Sequence, residues 1–238
     1  MSDHELIRLE NVGIRFRNSR SLLGKTSYEV LKNVSFNIAS GESIGILGRN
    51  GAGKSTLLKV IAGIIRPDMG RVVNNGVSSA LLNLQIGFKQ ELPGVDNIML
   101  MGILFGLGVS EIREKMDSII QFSELGDAVC KPVNTYSAGM KARLGFSVAI
   151  NMSTDILLVD EVLGVGDVEF RKKSTRAMKD MVMSEQTVVL VSHQAQTVKA
   201  LCERAVWIEN GRLKMQGAAD EVVEAYESYV MRHPPGDS

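Results

Sequence analysis

The chain has 238 residues, 45% of them apolar, and its 27 Lys and Arg residues balance 27 Asp and Glu. That is enough for one large domain or a core with an inserted subdomain, and the neutral balance gives no global attraction to nucleic acid, so no such partner is expected. The two cysteines, Cys130 and Cys202, are far apart with no metal-ligand spacing, which fits a reducing compartment and two inert packing residues.

The N-terminus, Met1-Ser2-Asp3-His4-Glu5, is polar and acidic where an export signal would be basic and then apolar. Residues 7–16 and 30–38 have strand-like patterns on either side of a polar stretch, residues 18–29. Phe16 ends the first strand, where it is placed to stack on a purine ring; a buried strand aromatic fits the pattern as well. Gly41-Glu42 then turns the chain into an apolar strand, residues 44–47.

The next stretch is Gly48-Arg49-Asn50-Gly51-Ala52-Gly53-Lys54-Ser55-Thr56, a full match to the P-loop pattern G-x-x-x-x-G-K-[ST], and a helical pattern follows it (Leu57, Leu58, Val60, Ile61). Its glycines let the backbone turn successive N–H groups inward around phosphate oxygens. The helix beginning near Lys54 aims its free N–H groups and positive dipole end at the same place. A helix dipole is worth only about 0.3–1 kcal/mol at an exposed site, so the Lys54 ammonium is expected to carry more of the charge on the β- and γ-phosphates. Ser55 is expected to hold Mg²⁺ through its hydroxyl.

Arg66-Pro67-Asp68-Met69-Gly70 is a turn signal, and residues 71–82 form short β-like runs around a hairpin turn at Asn74-Asn75-Gly76. From residue 96 the pattern becomes helical, with Ile112, Met116, Ile119, Ile120 and Ser123 on one face and Ser110 as N-cap. Residues 96–152 read as a helical subdomain inserted between two halves of an α/β core. Its most apolar stretch, residues 98–109, is broken by Gly102, Gly106 and Gly108 and falls short of the roughly 20 residues that span a bilayer. The chain is therefore expected to be soluble by itself.

A helix over 138–152 leads into an aliphatic strand that ends in Asp160-Glu161, the pattern of a buried parallel strand reaching the ligand-binding edge of its sheet. One of these carboxylates suits Mg²⁺ and the other an attacking water. A helix over 168–184 precedes a buried strand, residues 187–191, with Ser192-His193 at its tip, from which His193 can reach a γ-phosphate. A strand over 205–209, a turn at Asn210-Gly211, a helix over 219–230 and a flexible tail, residues 231–238, complete the chain. Tyr136-Ser137-Ala138-Gly139-Met140, just before a helix with Ser137 as its N-cap, makes a second anion site that a single nucleotide does not need.

In order and spacing these stretches resemble an ABC-type ATPase subunit over residues 7–226: residues 48–56 as Walker A, 136–140 as signature loop, 155–160 as Walker B, Glu161 as catalytic glutamate and His193 as switch histidine. The resemblance implies an α/β fold with a P-loop NTPase core, an N-terminal antiparallel β-subdomain and the inserted helical subdomain, all within one domain over 1–238. It also implies ATP and Mg²⁺, and a head-to-tail homodimer in which Ser137 and Gly139 of one subunit close over the γ-phosphate held by Lys54 of the other. Asp167 resembles the aspartate that communicates across that dimer, and Phe16 falls where the family stacks an aromatic on adenine. Gln85 is placed as the glutamine that binds the metal and links to a transmembrane subunit, with Gln90 as the alternative. The same family places a groove for that subunit near residues 98–105, although most of these side chains also read as core.

Two departures narrow the match. The usual Leu-Ser-Gly-Gly-Gln is here Tyr136-Ser137-Ala138-Gly139-Met140, and the stretch after Walker B reads Glu161-Val162-Leu163-Gly164-Val165-Gly166-Asp167. Both variants, with Met140-Lys141-Ala142-Arg143-Leu144 and Asp167-Val168-Glu169-Phe170, are similar to the ATPases of bacterial polysaccharide exporters. The function implied is ATP hydrolysis driving export of a lipid-linked polysaccharide, of O-antigen or capsule type, through an integral-membrane partner at the cytoplasmic face of the inner membrane. The alternative is a soluble ABC-type ATPase acting on DNA or the ribosome.

Overall fold

Five consecutive buried residues form β3 (Ser43–Leu47), and burial on both faces of a strand needs neighbours on both edges and layers above and below. The computed structural model describes residues 4–18, 26–82, 88–151, 154–160 and 167–233. The chain divides into two compact units, residues 1–77 with 185–238, and residues 78–184. No helix among the described residues is long and apolar enough to cross a membrane.

In the first unit β3 pairs in parallel with β7 (Thr187–Val191) on one edge and β8 (Arg204–Glu209) on the other. Antiparallel β9 (Arg212–Ala218) follows β8, an addition to the sequence expectation. Asn210 and Gly211 both have positive φ, 49° and 77°, as a tight hairpin turn requires, and the alternating exposure of β9 is that of a half-buried edge strand. α1 (Lys54–Ile61) buries Leu57, Leu58, Val60 and Ile61. α6 (Ala195–Leu201), also absent from the expectation, packs so closely on β3 that a Cβ on Gly45 would lie 2.2 Å from Val198 Cγ1. α7 (Ala219–Arg232) buries Val222, Val223 and Tyr226, with Tyr226 edge-on to Trp207 of β8 at 5.5 Å. It continues to Arg232, into the segment expected to be a tail.

A second sheet of this unit has the order β2-β1-β4, built from β1 (Glu5–Asn18), β2 (Thr26–Ala39) and β4 (Met69–Asn74), all antiparallel. β1 and β2 run past their apolar stretches because pairing continues through Arg15 and Glu29, whose side chains bond at 2.7 Å.

The second unit holds a parallel pair, β5 (Ser79–Leu82) and β6 (Ile156–Asp160), with α2 (Gly94–Leu104), α3 (Val109–Ser123), α4 (Ala138–Asn151) and α5 (Val168–Met183). Ile98, Met101, Ile112, Ile119, Val133, Leu144 and Val148 form one buried cluster. Truncating such a side chain typically costs about 2–5 kcal/mol. Phe122, Phe146 and Phe170 pack as a triangle with centroids 5.9–6.0 Å apart, bringing α3, α4 and α5 together.

Three expectations need correction. Asn74-Asn75-Gly76 is a turn but not a hairpin: β4 pairs with β1 and β5 with β6, so the strands on either side never pair. The turn is closed by Asn74, whose amide bonds both the N–H and the carbonyl of Val77. Ser110 is not an N-cap, because α3 starts one residue before it and Gly108 holds the cap position. Cys130 is exposed and is no packing residue, since it ends a short 3-10 turn at the surface, whereas Cys202 is buried.

Candidate functional site

The loop between β3 and α1 takes its shape from glycine. Gly48 and Gly53 have φ of 152° and 103°. A Cβ would lie 2.2 Å from Ile208 O at the first and 2.9 Å from Leu31 Cδ2 and Val30 O at the second. The β8–β9 turn braces the loop from beneath: Gly211 N–H donates to Ala52 O at 3.2 Å, and Gly211 O accepts from Lys32 N at 2.7 Å. Gly53 is the N-cap of α1 and no side chain caps it, so the first-turn amides are presented to an anion.

Lys54 is buried, and its Nζ donates to Gly48 O at 2.8 Å and Arg49 O at 3.0 Å, folding the ammonium under the loop. Asn50, Gly51 and Ser55 are exposed, Ala52 is buried and Thr56 half-buried. A cradle of backbone amides over one lysine fits the phosphates of a nucleotide, and the exposed Ser55 hydroxyl is the hard oxygen donor a magnesium ion prefers. The Arg49 side chain turns away towards the end of α7, where it donates to His233 O.

β7 lies beside β3 in parallel, with Val191 opposite Ile46. His193, two residues beyond Val191, therefore leaves the sheet at the same carboxyl edge as Gly48, and its side chain is exposed. Phe16 is 38% exposed on β1, its ring 5.9 Å from that of Tyr28, so it is not a buried strand aromatic.

In the second unit Asp160 is the last residue of β6, half-buried. Ser137 caps α4, its Oγ accepting from Met140 N at 3.2 Å, as its sequence position foretold. Tyr136 donates its hydroxyl to Ala128 O at 2.8 Å, and burial pushes its phenol up. Among the described residues a Cβ on Gly139 would meet Ser137 Oγ alone, at 3.8 Å, an ordinary van der Waals contact that does not itself require glycine. Asp167 caps α5 by accepting from Phe170 N at 2.9 Å and is ion-paired with Arg143. The Phe170 N–H and the Arg143 guanidinium hold its carboxyl below the usual aspartate range, against a smaller opposing effect of burial.

Glu161 and Gln85 lie outside the described residues. Gln90, the alternative to Gln85, is exposed and accepts from Lys141 Nζ at 2.9 Å. Two residues escaped the sequence reading. Arg143 was visible only as part of a motif, since nothing along the chain marks its reach to Asp167. Asn97, fully buried, was signalled by an amide beginning an apolar helical run.

Residues 31–164 match the family model described as ABC transporter. The O-antigen export system ATP-binding protein RfbB of Klebsiella pneumoniae is 43% identical over 206 residues, 87% of this chain and 84% of that protein. The teichoic acids export ATP-binding protein TagH of Lactococcus lactis subsp. lactis is 43% identical over 217 residues, 89% of this chain but 46% of that longer protein. Among solved structures, the dimeric post-hydrolysis state of the ATP-binding cassette MJ0796 bound to ADP and Pi superposes with a TM-score of 0.76. That match covers 90% of this chain and 99% of the cassette at 22% identity, a likeness of fold. With a family model spanning more than half of the residues and relatives at 43% identity over most of them, the chain belongs to the ABC transporter family.

Proposed function

We propose that this chain is the ATP-hydrolysing subunit of an exporter for a lipid-linked polysaccharide of O-antigen or capsule type, working at the cytoplasmic face of the inner membrane beneath an integral-membrane partner. The observation that carries this reading is the 43% identity, over 87% of the chain, with an O-antigen export ATP-binding protein. The proteins compared above lend no support to a role on DNA or the ribosome.

In this reading the loop amides and Lys54 bind the β- and γ-phosphates and Phe16 stacks on the adenine. Ser55, Asp160 and Gln85 are the oxygen donors for Mg²⁺, which when bound neutralises phosphate charge. Glu161 polarises the attacking water and His193 hydrogen-bonds the γ-phosphate. Ser137 and Gly139 close over the nucleotide of a second copy, and the lack of any tight contact for a Cβ at Gly139 among the described residues supports this by leaving room for a close approach. Asp167 is the contact that reports across the dimer. The exposed Ile103, Leu104 and Val109, at the turn between α2 and α3, support an apolar seat for the membrane partner, while Ile98 and Met101 belong to the core.

Replacing Glu161 by Gln tests the assignment. With MgATP the variant should elute as a dimer that retains unhydrolysed nucleotide, and turnover near the wild-type rate would refute the role.

A further inference from the structure

Arg49 is held at both ends. Its carbonyl accepts from Lys54 Nζ at 3.0 Å and from Ala52 N at 3.1 Å, inside the phosphate loop. Its guanidinium lies over the Tyr229 ring, 5.5 Å from the centroid, and donates through Nη2 to the carbonyl of His233. Arg49 Nε is buried with no hydrogen-bond partner among the described residues, so the ring face and that one carbonyl are what retain the group.

Tyr229 is itself fixed. It is edge-on to Trp207 at 5.0 Å and stacked on the His233 ring at 4.3 Å. His233 N–H donates to Tyr229 O at 3.0 Å, closing the last turn of α7. One residue thus ties the end of the C-terminal helix to an acceptor of the buried lysine.

We propose that Tyr229, together with the His233 carbonyl, is a positioning residue for Lys54 and acts through Arg49. The inference rests on the phosphate-binding role proposed for Lys54. Losing the ring face frees the guanidinium, the Arg49 carbonyl loses its fixed position, and the ammonium loses one of the acceptors that aim it. The effect falls chiefly on nucleotide binding, because the chain of contacts from Tyr229 through Arg49 ends at the ammonium that binds the phosphates.

The test uses the full chain with MgATP, reading steady-state ATPase activity and binding by calorimetry. Tyr229→Ala and Arg49→Ala should each raise KM for ATP roughly tenfold with kcat within about twofold of wild type, the size of one desolvated cation–π contact. The double variant should be no worse than either single, since both break one link. Tyr229→Phe, which keeps the ring, should restore KM. Tyr229→Leu keeps the apolar bulk without a π face and serves if the alanine variant fails to fold. A folded Tyr229→Ala or Tyr229→Leu with wild-type KM, or additive effects in the double variant, would overturn the proposal. Lys54→Ala separates the two levels. If it binds MgATP normally, the role of Lys54 fails; if it does not bind while the Tyr229 variants keep wild-type KM, only the positioning fails.

Discussion

Arg143 of α4 is ion-paired with Asp167 at the start of α5, and the same guanidinium reaches Glu124 at 3.2 Å and lies 5.1 Å from the Phe170 ring centroid. Glu124 in turn bonds Lys173 of α5 at 2.6 Å. The helix that begins at the signature loop and the helix that begins at Asp167 are thus joined by charge above the Phe122, Phe146 and Phe170 triangle.

Arg143→Ala should shift the Asp167 titration upward, but not fully to the ordinary aspartate range, because the Phe170 N–H, the largest single cause of the depression, remains. Carbon-detected NMR of the Asp167 carboxyl against pH would read this. A titration curve unchanged from wild type would show that the pair does not act in solution. Arg143→Lys should recover only part of the shift, since an ammonium cannot reproduce the planar fork.

Acid stability follows the same carboxylates. Asp155 is held below the usual range, first by the Ser78 hydroxyl and then by the Ser78 N–H, both at 2.7 Å, and Asp167 is lowered as described. A folded pKa below the unfolded value, about 3.9 for aspartate, gives stability that is fully present above that value and is lost as pH falls through the folded pKa. Urea midpoints should therefore stay level in this respect from neutrality to roughly pH 5 and fall below it. Ser78→Ala should make the acid fall shallower, and a midpoint that rises on acidification below pH 4 would contradict the sign.

Asn97 is fully buried in the first turn of α2. Its Oδ1 accepts from Lys89 N at 2.7 Å, and its Nδ2 lies within 3.0–3.1 Å of the Lys89, Leu92 and Pro93 carbonyls. Asn97→Ala leaves that loop's polar groups without their partner and should cost about 2–4 kcal/mol in urea unfolding. Asn97→Asp should be no better, because a carboxylate faces carbonyl oxygens where the amide donated.

The cysteines should separate cleanly by reactivity. Burial pushes the Cys202 thiol up to about 12, whereas Cys130 is exposed. A maleimide should label one site in the native chain and a second only in denaturant, with mass mapping placing the first at Cys130. Native labelling of Cys202 would mean that α6 opens readily.

The parts of the fold that could be read along the chain are those whose cause is local. The all-apolar strands, the glycine loop and the Ser137 cap announce themselves within a few residues. β9 did not, because its alternation runs through Lys214 and Gln216 and is weak without the edge of β8 to pair with. The hairpin assigned to Asn74-Asn75-Gly76 failed for a similar reason: turn chemistry states that the chain reverses, not which strands pair afterwards. Arg143, Arg49 and Tyr229 matter through contacts made across 24 and 180 positions of sequence, which no window on the chain can register.

The bracing of the phosphate loop by the β8–β9 turn bears on the order in which the molecule can be made. Val30, Leu31 and α1 leave the ribosome well before their braces do: Ile208 O against Gly48 and the Gly211 N–H to Ala52 O come from a stretch about 160 positions further along the chain. A nascent chain that has passed α1 has written its phosphate loop without the means to set it. The loop is braced when the β8–β9 hairpin arrives, so a chain truncated before β8 should lack a set nucleotide pocket even though every loop residue is present.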